Sequence, residues 1–87
     1  MKDLTKLENE LKTNFINKKI YLELSGDIAY RIKIEDTKIL LNKLGLILSD
    51  DKENQITICF DEVETIEIQE NLINIYFNYD EKIKIFT

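Results

Sequence analysis

The 87-residue sequence has no histidine, proline or tryptophan, a single cysteine and only two glycines. Without histidine it lacks the commonest general base and the usual zinc ligand. One cysteine can form neither an internal disulfide nor a thiolate metal site within the chain, and no imidazole is present to activate Cys59. Gly26 and Gly45 stand apart, so no glycine-rich phosphate loop can be assembled. With proline absent and glycine scarce, long flexible loops are not expected. No apolar run approaches the roughly 18–20 residues that span a bilayer. Met1–Phe15 carries charge at periodic positions where a secretory signal holds an unbroken apolar stretch. These absences point to a cytoplasmic, non-membrane protein that is not an enzyme and has no cofactor and no metal site.

What is present is charge and alternation. Residues 1–49 hold nine Lys or Arg against seven Asp or Glu, and residues 50–87 hold three against ten, so balances of +2 and −7 make up the net charge of −5. Such asymmetry between halves suggests an acidic face directed at something basic. A hydrophobic fraction of 44% is ordinary for a single globular domain and argues against disorder. Lysine outnumbers arginine eleven to one and isoleucine is abundant, a composition that hints at an AT-rich bacterial or phage genome.

Leu4, Leu7, Leu11 and Phe15 fall three and four apart, the stripe of an amphipathic helix over 3–17, with Asp3 or Thr5 as N-cap and a Glu8–Lys12 pair one turn apart. From there alternation of period two takes over. It predicts strands at about 19–24, 28–35, 46–49, 55–60, 64–69, 72–79 and 82–86. Ser25-Gly26-Asp27 is the turn of the first hairpin, and in 72–79 the residues Ile73, Ile75, Phe77 and Tyr79 share the inward face. The segment 37–44 has two readings. Either Asp36 or Thr37 caps a short helix closed by Gly45, or Lys38–Leu41 continues a bent strand with a bulge at Gly45; the helix is slightly favoured. The short polar breaks between strands permit antiparallel neighbours and no crossover helix. The expected fold is therefore α+β: an N-terminal amphipathic helix packed on a curved antiparallel meander sheet, or a partly open small barrel, of six to seven strands.

Carboxylates are the abundant chemical group. Asp50, Asp51 and Glu53 lie close together but lack the alternating ligands and central glycine of a calcium loop. Asp61, Glu62, Glu64, Glu67 and Glu70 form a looser series. By parity Glu64 shares a side with Ile66 and Ile68 while Glu67 faces away, so the series converges only if the chain bends at Val63. Basic and aromatic residues combine only in Tyr21, Tyr30, Arg31 and Lys33. Parity turns Tyr30 inward, and the acidic half repels a phosphate backbone, so direct binding of nucleic acid is not expected.

The run of an N-terminal helix, KKIYLELSGD, a long second strand and QITICFDEVETIEI resembles the Sm-like RNA-associated fold over residues 4–68. That resemblance implies a helix preceding a bent five-stranded sheet, with subunits joining edge to edge into rings that act with RNA. Ile28–Ile34 lacks the glycine of the family's first motif, and Phe60-Asp61 stands where its second motif carries a basic residue with glycine. No RNA-binding residue is therefore carried over.

Taken together, the expected function is that of a small acidic protein-binding module. Its most natural role is inhibition of a nucleic-acid-handling or host-defence protein, of the phage anti-defence or immunity type. The residues expected to dock on the basic partner surface are Asp61, Glu62, Glu64, Glu67 and Glu70, flanked by Asp50, Asp51 and Glu53, with Tyr76 as an outward aromatic anchor. The alternative is an Sm-like oligomer acting with RNA. An edge strand such as 82–86 could also pair with a second copy.

Overall fold

The computed structural model describes residues 4–26, 29–50 and 54–87, and of Tyr30 the backbone only. Within these residues the chain forms α1 (Leu4–Glu10) continued by a π-helical turn (Leu11–Phe15), then eight strands and one 3-10 turn. The strands are β1 (Ile20–Ser25), β2 (Tyr30–Ile34), β3 (Lys38–Leu41), β4 (Gly45–Ser49), β5 (Gln55–Cys59), β6 (Val63–Gln69), β7 (Leu72–Phe77) and β8 (Lys82–Phe86). All pair antiparallel, in a five-stranded sheet of order β2-β1-β8-β7-β6 and a three-stranded sheet of order β3-β4-β5. The α+β class is as expected. The single sheet or barrel is corrected to two separate sheets, and the strand number rises to eight.

The helix follows from its apolar stripe. Leu7, Leu11 and Phe15 are four apart, slightly more than an α-helical turn of 3.6 residues, and all three are fully buried. The wider last turn, in which Ile16 N–H donates to Leu11 O at 2.9 Å, accompanies this spacing. Asp3 lies outside the described residues, and Thr5 sits within α1, so Thr5 is not its cap. Glu8 and Lys12 do pair, at 3.7 Å. Glu10 anchors the helix to the larger sheet: its Oε2 accepts from Asn71 N–H at 2.8 Å and from Asn14 Nδ2 at 2.7 Å.

One core serves both sheets. Ile20, Leu22 and Ile34 join Ile73, Ile75, Ile83 and Ile85 on the inward face of the larger sheet. Leu46, Leu48 and Ile58 meet them from the smaller one, with the helix stripe and Phe60 completing the cluster.

The short helix favoured for 37–44 is not formed: Lys38–Leu41 is strand β3, paired with β4. Two polar side chains explain the outcome. Asn42 Oδ1 accepts from the backbone N–H of Leu44 at 2.8 Å and of Gly45 at 3.1 Å, which favours a turn over continued helix. Thr37 does not cap anything. It is fully buried, and both its Oγ1 (2.7 Å) and its N–H (3.1 Å) donate to Lys18 O, while its own carbonyl accepts from Asn17 N–H at 2.9 Å. The loop leaving the helix is thereby fastened to the corner between β2 and β3. Gly45, expected as a helix closer or a bulge, opens β4 opposite Cys59, where a Cβ would run into the carbonyl oxygen of Ile58. Residues Asp27 and Ile28 of the first hairpin lie outside the described residues.

The strand 82–86 is not an edge. β8 is paired on both sides, with β1 and with β7, and the open edges belong to β2, β6, β3 and β5. No helix among the described residues is long and apolar enough to cross a membrane.

Two substitutions test this account. Thr37→Val keeps the side-chain shape and removes the hydroxyl donor, and is expected to lower stability in urea by about 1 kcal/mol with an unchanged m-value. Gly45→Ala forces two paired backbones apart and is expected to cost about 1–3 kcal/mol by the same measurement.

Candidate functional site

The acidic series begins where β5 ends. Phe60 is buried and pins a 3-10 turn, Phe60–Glu62, that turns Asp61 and Glu62 outward between the two sheets. β6 then runs as an edge strand, and its register slips between Val63, opposite Phe77, and Thr65, opposite Tyr76. Glu64 is the extra residue of this bulge. The slip corrects the parity expected for Glu64. Val63 takes the inward-facing place with Ile66 and Ile68, while Glu64 is exposed at the bulge and Thr65, Glu67 and Gln69 face outward. The bend at Val63 on which convergence depended is therefore present. Glu70 follows in the β6–β7 turn, beside Asn71 at φ 61°.

Asp61, Glu62, Glu64, Glu67 and Glu70 are thus brought to one border of the larger sheet, all of them exposed. None takes part in the ion pairs among the described residues, which join Glu8, Glu23, Glu35 and Asp36 to lysines or to Arg31. Asp50 is not part of this group. Its Oδ1 and Oδ2 accept from Asn54 N–H (3.1 Å) and Nδ2 (2.8 Å), closing the β4–β5 turn at the far end of β5. Five strand residues separate that turn from Phe60, about 16 Å. Asp51 and Glu53 lie outside the described residues.

Two tyrosines hold carboxylates of the series in place. Tyr76 faces outward as expected: its Oη donates to Glu67 Oε1 at 2.9 Å, and Lys82 Nζ lies 5.3 Å from its ring centre. Tyr79 Oη donates to Glu62 Oε2 at 2.9 Å, and its ring stacks on Phe77 with centroids 5.6 Å apart. The inward position expected for Tyr79 is corrected, since β7 ends at Phe77 and Tyr79 is half exposed in the turn. Asn78-Tyr79-Asp80 reads as turn composition, with Asp80 at φ 57°, and was the available signal for an earlier strand end. Both phenols are raised above the ordinary tyrosine value, first because each donates to its glutamate and then through desolvation and the glutamate's charge.

Cys59 is exposed, opposite in direction to Ile58 and Phe60. Among the described residues no group of three or more His, Cys, Asp or Glu is placed to hold a metal ion. An open cleft of about 440 Å³ lies between β5 and the β7–β8 end of the larger sheet, with Ile56, Phe77 and Ile83 in its wall and Glu62 and Tyr79 at its border. Among the described residues the geometry offers exposed carboxylates for contact. No protein-family model, no curated protein and no solved structure matches the chain.

The tyrosine contacts have a pH signature. The raised values keep both phenols protonated beyond pH 10, and the stability these contacts contribute is complete below pH 10 and lost as pH rises through the folded-state values. Absorbance titration is expected to show two late tyrosine transitions. Glu67→Ala moves one back towards the ordinary value and Glu62→Ala moves the other.

Proposed function

We propose that this chain is a non-catalytic binding module that docks its acidic edge strand on a basic protein surface. The observation supporting this reading is that Asp61, Glu62, Glu64, Glu67 and Glu70 share one border, exposed and outside the ion pairs of the described residues. Seven residues of β6 extend about 23 Å. Carboxylates spread over that length on a rigid sheet can take the place of phosphates in a cationic groove and speed encounter with it. Tyr76 and Tyr79 fix two of them, which reduces the side-chain entropy lost on contact. A nucleic-acid-handling protein, inhibited by occupation of its phosphate-binding groove, is the partner class that fits. The setting is the cytoplasm, where an exposed Cys59 stays reduced.

The test is a retention experiment on nuclease-treated bacterial lysate with the immobilised protein and with a variant carrying Asp61→Asn, Glu62→Gln, Glu64→Gln and Glu70→Gln. Basic proteins retained at low salt, released at high salt and absent from the variant column support the reading. An identical set on both columns overturns it. A ring-sized oligomer that carries RNA is instead the outcome of the Sm-like alternative.

A further inference from the structure

The outward face of the five-stranded sheet differs from what the net charge suggests. Pairing of β1 with β8 lays the end of the chain beside its beginning and creates three cross-strand rows on that face. One row is apolar. Tyr21, Phe86 and Leu72 are register partners, and the Tyr21 and Phe86 rings stack at 5.6 Å with 27° between their planes. The middle row carries charge, with Arg31, Glu23, Lys84 and Asn74 in register across four strands. The third row sets Ser25, Lys82 and Tyr76 side by side. With Lys33 opposite Tyr21, four cations share the face with Glu23, Glu35 and, at its β6 margin, Glu67. Arg31 pairs with Glu23 and Lys33 with Glu35, so Lys82 and Lys84 are the cations of this face outside the ion pairs of the described residues, in a chain whose net charge is −5.

This face has no covering element among the described residues, because the helix and the smaller sheet both pack on the inward side. Its rings are already in contact with cations: Lys84 Nζ is 5.2 Å from the Phe86 ring centre, and Lys82 Nζ is 5.3 Å from that of Tyr76. A flat base can replace the ammonium over either ring while the ammonium swings to the neighbouring phosphate. A second observation is independent of charge. Asn74, 8% exposed at the centre of the face, has a buried Oδ1 without a hydrogen-bond partner. A side-chain acceptor left unpaired calls for a donor, and nucleobases carry donors on their edges.

We infer that this face binds single-stranded nucleic acid, with bases stacked on Phe86 and Tyr76 and phosphates held by Lys82, Lys84 and Arg31. Leu72 and Tyr76 are four residues apart on β7, so the two ring rows are about 13 Å apart, room for about two or three bases. An unpaired strand fits better than a duplex, because rings on an open sheet reach only bases free of a partner. Glu64 and Glu67 on β6 and Glu70 in the turn after it repel phosphate and confine the path to the side of the sheet towards β2. The inference shares Tyr76 with the acidic border, where that residue holds Glu67, but Phe86, Lys82 and Lys84 stand apart from the docking proposed there.

Fluorescence anisotropy with labelled oligouridylate and oligothymidylate of about ten nucleotides tests it. Saturable binding of either at about 50 mM salt is expected, with log K falling against log salt at a slope no steeper than about −3 for four cations on a single strand. Lys82→Glu with Lys84→Glu weakens binding at least about tenfold, and Tyr76→Leu about fivefold or more. Arg31→Ala, at an exposed position whose loss leaves the core intact, weakens it about two- to threefold and flattens the salt slope. Three results overturn the inference. One is no binding of either oligonucleotide by protein shown to be folded by circular dichroism. Another is binding that Arg31→Ala and the folded lysine variant leave unchanged. The third is displacement by polyglutamate as effective as by unlabelled oligonucleotide, which marks a face for acidic peptides.

Discussion

The β1–β8 ladder is the constraint on which the rest of the architecture depends. It joins residues 57 to 65 positions apart in sequence, and no local signal requires it. The closure entropy of such a connection grows only slowly with its length, so a modest set of contacts suffices to hold it. Here Leu22 meets Ile85 and Leu24 meets Ile83 on the core side, while Tyr21 stacks on Phe86 outside. Without this pairing the first hairpin would be a two-stranded ribbon, marginal alone in water. With it, the hairpin β1–β2 and the meander β6–β7–β8 become one sheet with an apolar inward face. Everything on the outward face that mixes early and late residues is a consequence of the same ladder.

The second sheet is held to this frame from three sides. Phe60 enters the common core at the exit of β5, Leu46 and Leu48 cover the inward isoleucines, and Thr37 fastens the approach to β3 to the end of the helix. Two positive-φ residues, Asn17 and Asp36, lie next to the Thr37 contacts, and both are of residue types that tolerate that conformation. The bulge at Glu64 belongs to the same logic. By inserting one residue it keeps Val63, Ile66 and Ile68 all against the core although the spacing from 63 to 66 is odd. The residue left over must then project away from the apolar face, and a glutamate there costs little.

Much of the fold was legible in the sequence because alternation reports directly on burial. Ile20 with Leu22, Ile73 with Ile75 and Ile83 with Ile85 all face the core as their spacing implies. Alternation does not report which strand lies beside which, so 82–86 read as a strand without a second neighbour, and its lysines could not be placed beside Glu23 and Ser25 of β1. It is also silent where a polar side chain decides between a turn and a helix. Lys38–Leu41 is too short for periodicity to resolve, and the deciding groups are Asn42 Oδ1 and Thr37 Oγ1, each acting through geometry that only the folded chain displays. Of the acidic series, 61–70 could be grouped from sequence once a bend at Val63 was allowed. Asp50 could not be separated from it, because nearness along the chain hides the length of β5.

Net charge describes this molecule poorly because its charges are sorted by strand. β6 carries glutamates with no cationic partner among the described residues, whereas β8, two strands away, carries Lys82 and Lys84. Two strand spacings amount to about 10 Å, slightly more than the Debye length of about 8 Å at physiological ionic strength. At that salt a partner at either surface senses mainly the charges beneath it; at low salt the two fields overlap and partly cancel. Tyr76 stands on the boundary, its ring beneath the Lys82 ammonium and its hydroxyl given to Glu67. Lys82 and Glu67 lie on strands separated by β7 and in different cross-strand rows, so the pairing order of the sheet itself keeps the ammonium and the carboxylate apart.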